Sequence, residues 1–312
     1  MRTERCRMMA AAIALAGLHC SSAPAAASEP LTICLDEDIP LYSVHHGGEG
    51  SGFVLAVAQA VARQLDRPLR IQWFESNIDP DDSSVLGANA LLSDRRCQLV
   101  GGYPLVRDAL GKPGVQTARL PDFDGAAPDD RRRRVPLGAL LPTRAFTYAP
   151  FTIVLAPSVT KQVASLADLQ GMRLGTEAAT LEDAILMLYR DGAYVDHITH
   201  LVPGRHQLLP RLEAGDYDAA LVELRRFDAY RAAHPATRLK PTGYYYDRVG
   251  FNIGFVGRDG EEALIDQVNQ AIEELLAKNQ VAPLAQAEGV TYLPPRQPEI
   301  LEHLTLRDLS ED

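Results

Sequence analysis

RLEAGDYDAALVELRRF, Arg211 to Phe227, is the stretch whose reading decides the fold. Ala219-Ala220-Leu221-Val222 is a short apolar run with an acid at each end, Asp218 and Glu223. Apolar residues at consecutive positions suit a strand buried on both faces of a sheet. The helical pattern before it is stopped by Gly215, the residue type that most readily turns the chain after a helix. A second helical pattern, LRRFDAY, begins directly after Glu223. Helix, buried strand, helix is the rhythm of a parallel sheet covered by helices. Asp218 reads as a local pair or turn cap. Glu223 has two readings, which do not exclude each other. It stands at the carboxyl end of a strand, where open α/β sheets bind ligands. It also stands at a helix start, where an acid favours the helix dipole.

The same alternation runs on both sides. LTICLDED reads as a strand ending in acids, followed by a loop, HHGGEGSG. FVLAVAQAVARQLD sets Val54, Val57, Ala58, Val61 and Leu65 on one helical stripe. RPLRIQWF is a strand, SVLGANALLSDR a helix and CQLVGGYPL a strand. Val106 to Tyr148 breaks the rhythm and reads as a long irregular insertion. FTIVLAP resumes as a strand. A second block follows: SLADLQG, a short helix stopped by Gly171; the strand MRLGTE; the helix TLEDAILMLYRDG; the strand ITHLVP; the helix HQLLPRLEAG; then the opening stretch. VGFNIGFVGRD is a strand leading back. EALIDQVNQAIEELLAKNQ is an amphipathic helix with Leu264, Val268, Ile272, Leu275 and Leu276 on one face. The polar, Pro-rich end reads as a segment wrapping over the surface.

The chain has 312 residues, is 46% hydrophobic and carries a formal net charge of −10, so it is globular rather than disordered. Its acidity, with no basic surface interleaved with aromatics, excludes nucleic acid as a partner. The basic run DDRRRRVP is flanked by acids and reads as a solvated loop. Residues 1–27 have the layout of a secretory signal peptide: arginines, a short apolar core, then small residues ending at Ala27. Lipid attachment at Cys20 is disfavoured by His19 before it. No segment is long enough to span a bilayer. After cleavage Cys34 and Cys97 remain, on strands that read as neighbours. In an exported chain a bridge between them is expected, against the alternative of two buried free thiols.

No G-x-S-x-G, P-loop or C-x-x-C pattern is present, so no catalytic set and no cofactor is assigned. HITH, His197 to His200, enters a strand, where that spacing puts the two rings on opposite faces. HHGGEG is a weak metal candidate, and no metal site is expected.

The motifs together carry a resemblance. LEAGDYDAALVE, LADLQGMRLGTEAATLEDAIL and VGFNIGFVGRDGEEALIDQVNQAIEELLAKNQVAPL resemble, in this order, elements of the bacterial extracellular solute-binding proteins of family 3. The resemblance spans most of residues 31 to 293. It implies a periplasmic-binding-protein fold of type II: two lobes, each a mainly parallel sheet flanked by helices, joined by two crossing strands. The first lobe would be 31–155 plus 247–312 and the second 156–246. It also implies a periplasmic, non-enzymatic receptor that captures a small polar solute by hinge closure for an ABC transporter permease. Two positions depart from the family. Arg107 is displaced by about two positions from the arginine that usually clamps a ligand carboxylate. The acid that normally holds an α-ammonium is Glu223 rather than Asp, one methylene longer.

The candidate ligand-binding residues are Asp36, Tyr42, Tyr103, Arg107, Tyr148, Thr180, Glu223 and Tyr246, each at a strand end or beside a crossing. CLDEDIPLYS, RPLRIQW and CQLVGGYPL also resemble the periplasmic binding proteins encoded beside quinoprotein alcohol dehydrogenases. That resemblance implies an alternative partner, a periplasmic quinoprotein dehydrogenase, with the 106–148 insertion in its support. A second alternative is a dehydratase-like enzyme on the same fold, with Glu223 as acid or base.

Overall fold

The computed structural model describes residues 29–76, 84–111, 114, 116–130, 133–205, 207–303 and 305–310. The expected signal peptide, Cys20, Arg131, Arg132 and His206 lie outside the described residues. β1 (Leu31–Asp36) leads into three short strands, β2 (Asp38–Ile39), β3 (Ser43–His46) and β4 (Glu49–Ser51). Then come α1 (Phe53–Gln64), β5 (Leu69–Glu75), α2 (Ser84–Ser93), β6 (Leu99–Pro104) and α3 (Arg107–Leu110). Four short strands follow: β7 (Thr117–Arg119), β8 (Asp122–Phe123), β9 (Arg134–Pro136) and β10 (Leu140–Pro142). β11 (Thr147–Leu155) opens the second block of β12 (Leu174–Glu177), α4 (Leu181–Leu188), β13 (Ile198–Leu201), α5 (Leu208–Ala214), β14 (Ala219–Glu223) and α6 (Leu224–Ala233). β15 (Lys240–Arg258) returns, and α7 (Glu262–Ala277), α8 (Val281–Ala287) and α9 (Leu306–Ser310) follow it.

The central sheet runs β13-β12-β14-β11-β15-β6-β1-β5-β8, with β10 also paired to β15. Within each half the inner strands are parallel: β12 with β13 and β14, and β1 with β5 and β6. β11 and β15 lie antiparallel in the middle and pair with both halves. In each half the first parallel strand lies between the next two, β13-β12-β14 and β5-β1-β6, and β8 adds an antiparallel edge to β5.

The opening stretch shows why the chain folds so. Ala219 and Leu221 enter the core layer under α4, while Ala220 and Val222 enter the layer under α5 and α6. A strand with apolar side chains on both faces has to lie inside a sandwich. Each of the larger of these side chains contributes about 1.5–3 kcal/mol by leaving water. Gly215 takes φ 84° at the end of α5. Asp218 fastens Arg173 at the start of β12, accepting at 2.8 Å from Nη2 and at 2.9 Å from the main-chain N–H. In the other half, Leu31, Ile33 and Leu35 face the layer of α1, α7 and α8, and Cys34 faces that of α2. Cys34 is bonded to Cys97, with their Cα atoms 5.6 Å apart.

Three expectations need correction. HHGGEGSG is no loop. β3 and β4 form a hairpin over it, because Gly47 and Gly48 both take positive φ, as a tight two-residue turn demands. The 106–148 insertion is not irregular throughout. Its Ala118, Leu120, Phe123, Val135, Leu137 and Leu140 complete the core under α2. The two central strands are longer than their apolar runs. β11 starts at Thr147, and β15 takes in Tyr244, Tyr245 and Tyr246. The polar end does wrap the surface: Asn252 Nδ2 donates to the carbonyls of Arg296 and Glu299.

Candidate functional site

The parallel strands of the two halves end towards one another, and their carboxyl ends carry the acids. Glu177 ends β12, Glu223 ends β14 and Asp36 ends β1. Between the halves lies a cavity of about 340 Å³, lined by Ile39 and Pro40 on one side and Leu209, Glu223, Arg225, Arg226, Ala229 and Tyr230 on the other.

Glu223 is the residue before α6, with extended backbone at φ −61° and ψ 131°, but its side chain makes no capping bond. It turns instead to Arg225, whose Nε donates to Glu223 Oε1 at 2.6 Å. The Arg225 guanidinium also stands over the ring of Tyr42, 5.3 Å from its centroid, and so reaches across to the other half. Burial opposes charge on Arg225, but the Glu223 carboxylate more than offsets this and holds the guanidinium above its ordinary value. Arg226 donates to Glu177, which is 6% exposed. Glu182, in the first turn of α4, completes the group. Burial lifts its carboxyl above the ordinary value and the nearby Glu223 adds to this, against its backbone hydrogen bonds and the opposite charge of Arg226. Burial likewise pushes the Tyr42 phenol up. Two arginines, each answered by a glutamate, with a third, half-buried glutamate beside them, can meet a ligand bearing both donors and acceptors. Breaking either pair would strand a partly buried charge.

The expected ligand residues divide accordingly. Glu223 and Tyr42 come together at the cavity through Arg225. Thr180 is the N-cap of α4, accepting from Asp183 N at 3.2 Å and donating to the Glu177 carbonyl at 2.8 Å, so it positions Glu177 and Glu182. Asp36 ends its strand on the cavity side. Burial raises its pKa, against hydrogen bonds to Ser76 and to the Asp38 N–H. Tyr103 is 3% exposed in the core under α2 and donates to the Ala109 carbonyl. Tyr148 is buried beneath Arg296, and Tyr246 donates to the Asp308 carbonyl from the core under α4. Arg107 points to the chain's end, where it holds Glu302 in a two-point pair at 2.8 and 3.2 Å. The structure does not bring these last four to the cavity. Arg225, Arg226, Glu177 and Glu182 were missed. The signal was present in ELRRF itself, where two adjacent arginines follow the strand-end acid.

Among the described residues no helix is long and apolar enough to cross a membrane. No protein-family model matches the chain. No curated protein matches it. Solved structures do. The L-cystine solute receptor of Neisseria gonorrhoeae, in its unliganded open conformation, is 16% identical with a TM-score of 0.60, over 86% of this chain and 96% of the receptor. Substrate-binding domain 2 of Lactococcus lactis GlnP, also open, is 12% identical with a TM-score of 0.59, over 82% and 94%. A histidine kinase sensor domain with similarity to periplasmic binding proteins is 16% identical with a TM-score of 0.53, over 85% and 97%. The strand order, the two central strands and these similarities agree: the chain has the type II fold of the periplasmic solute-binding proteins.

Proposed function

We propose that the chain is a periplasmic receptor that captures a small polar solute by closing two lobes over it, and that it delivers the solute to an ABC transporter. The lobes would be 31–155 plus 247–312 and 156–246, and the exported mature chain would begin after residue 27. The observation that carries this is the cavity itself. Ile39 and Pro40 face Glu223, Arg225 and Arg226, and Arg225 already spans the gap to Tyr42. A ligand that contacts both walls binds the closed form better than the open one and shifts the population towards it. The cavity's charges are answered in pairs, which favours a neutral or zwitterionic ligand over a simple anion. Capture without chemistry is the reading, because the pairs position charge and no nucleophile stands among them.

A thermal-shift screen over amines, polyols, amino acids and small alcohols tests this. A ligand of the native state raises the melting temperature by mass action. The expected result is a concentration-dependent rise with one of these classes, lost in Arg225→Gln. No rise with any class, at concentrations well above those typical of such receptors, would overturn it.

A second reading is a docking protein for a periplasmic quinoprotein dehydrogenase. One feature favours it. The 106–148 segment is apolar inwards, yet it carries an exposed charged outer surface that includes Asp124, Asp129, Arg133 and Arg134. Co-purification of such a dehydrogenase with the chain, abolished by deleting 124–134, would support this reading over uptake.

A further inference from the structure

Three side chains from three separate segments converge on one face of the first half of the sheet. Glu37 follows β1, His45 lies in β3 and Asp124 follows β8. One ligand-type atom from each lies within 4.8 Å of the others. His45 Nδ1 is 3.8 Å from Glu37 Oε2 and 3.8 Å from Asp124 Oδ2. These separations are too long for hydrogen bonds. They are close to the roughly 3.4 Å that separates two donors on one tetrahedral ion about 2.1 Å from each.

The positions are fixed from behind. His45 N–H donates to the Glu37 carbonyl at 3.0 Å, Asp124 N–H to the Trp73 carbonyl at 3.0 Å, and Gln72 Nε2 to the Asp124 carbonyl at 2.9 Å. The imidazole lies flat on the indole of Trp73, centroids 4.8 Å apart and planes 2° from parallel, so its Nδ1 is held at the carboxylates. Among the described residues, the ion pairs give Glu37 and Asp124 the same single partner, His45. Two carboxylates beside one imidazole nitrogen, with no lysine or arginine paired to them among the described residues, form a point that attracts a cation.

We propose that Glu37, His45 and Asp124 bind a divalent first-row transition ion of the zinc type. One imidazole and two carboxylates suit zinc, nickel, cobalt or manganese. Magnesium and calcium take all-oxygen sets, and soft ions take sulfur. Three protein ligands leave further positions for water. The ion would tie the hairpin and the 106–148 segment to the end of β1. Ile39 and Pro40 of the cavity wall lie two and three residues beyond Glu37, so the same ion would stiffen that wall.

The chain's single tryptophan makes the test direct. Ni2+ is titrated into the chain, purified without a histidine tag, while Trp73 emission is followed, and Zn2+ binding is measured by calorimetry. The expected result is saturable quenching at one equivalent, reversed by excess Zn2+ but not by Mg2+. His45→Gln and Asp124→Asn should each weaken Zn2+ binding at least tenfold. Circular dichroism and the melting temperature of each variant establish that it is folded. Glu37→Gln, which leaves the imidazole–indole stack untouched, is the second variant and should weaken binding in the same way. The proposal is overturned by an absence of saturable quenching, by equal displacement with Mg2+, or by folded variants that bind Zn2+ as tightly as the parent chain.

Discussion

The buried carboxylate of Asp228 on α6 accepts the main-chain N–H of Thr291 at 2.7 Å and its hydroxyl at 2.8 Å. Arg231 Nη2 donates to the same carboxylate at 2.8 Å. Asp228 is 1% exposed, and Thr291 lies between Val290 and Tyr292, which pack in the core of α1 and α7. The contact therefore fastens α6 to the opposite half of the molecule at a point remote in sequence. Asp228→Ala leaves three donors without their acceptor and should lower the unfolding free energy by about 1–3 kcal/mol. Thr291→Val removes only the hydroxyl and should cost less. Urea denaturation of the two variants tests the order.

Cys34 in β1 is joined to Cys97, which lies two residues before the neighbouring parallel strand β6 and 63 residues away in sequence. Closing a loop of that length constrains the unfolded chain, so reduction should destabilise the protein by roughly 2–4 kcal/mol. Both sulfur-bearing residues are buried, at 0% and 4% exposure, so reduction under native conditions should be slow. Thiol titration of the unfolded, unreduced chain should find neither cysteine free. Two titratable thiols from these positions would contradict the structure.

The helices and strands whose apolar residues repeat with a clear period were legible before any coordinates. Val54 through Val61 on α1, Leu264 through Leu275 on α7 and the run from Ala219 to Val222 each announce a buried face. The hairpin at Gly47–Gly48 was not, because two glycines in a polar stretch also fit an unstructured loop. Its strands are held by backbone pairing and carry no apolar alternation. The insertion hid its contribution for a similar reason. Ala118, Phe123 and Val135 reach the core singly, each from a strand of two or three residues, which is too short for a period to appear. At the site, Glu223 could be picked out because it ends a strand, and Tyr42 because it follows Pro40 just past the first strand. Arg225 and Arg226 were passed over although ELRRF sets them directly after the strand-end acid, since an arginine on a helix usually faces water. Only the turn of α6 towards the other half brings them into the cavity. Tyr103 and Tyr246 lie away from the cavity, and their hydroxyls donate to main-chain carbonyls, which satisfies a buried tyrosine without a ligand.

Glu182 makes a prediction about pH. Burial raises its carboxyl above the ordinary value of 4.5, so the folded chain holds this proton more tightly than the unfolded chain does. The sign follows from linkage: where the folded state binds more protons, stability falls as pH rises. The contribution is fully present below the unfolded value and is lost as pH climbs through the higher folded one. Glu182→Gln keeps an uncharged, hydrogen-bonding side chain in place. It should raise the melting temperature near neutrality and leave it almost unchanged in acid. Asp36 and Asp228 are raised by burial in the same sense, so part of the slope will survive in the variant. Melting curves of both proteins from about pH 4 to about pH 8 measure it. A parallel offset at every pH would exclude the titration of Glu182 as the cause.

The last prediction concerns the acid of ALVELRRF. Glu223 and Arg225 are 23% and 25% exposed and paired at 2.6 Å, at the mouth of a cavity with opposite walls from the two halves. Glu223→Gln keeps the shape and one acceptor oxygen but removes the charge that answers Arg225. If Glu223 contacts a donor group of the ligand, losing that charge-assisted bond should cost about 1.5–3 kcal/mol, or about ten- to a hundredfold in affinity. Stability should fall as well, because Arg225, only 25% exposed, loses the carboxylate that answers its charge. Glu223→Asp retains the charge but draws it back by one methylene, so it should recover part of the affinity if charge matters and little if reach does. Arg225→Gln supplies the remaining corner. In a double-mutant cycle with Glu223→Gln, a coupling energy near zero would mean that the two residues bind the ligand independently. Calorimetry with the ligand found in the screen reads the parent and all four variants. Unchanged affinity with lowered stability would make Glu223 a structural partner of Arg225 and move the ligand contact to Arg226 and Glu182.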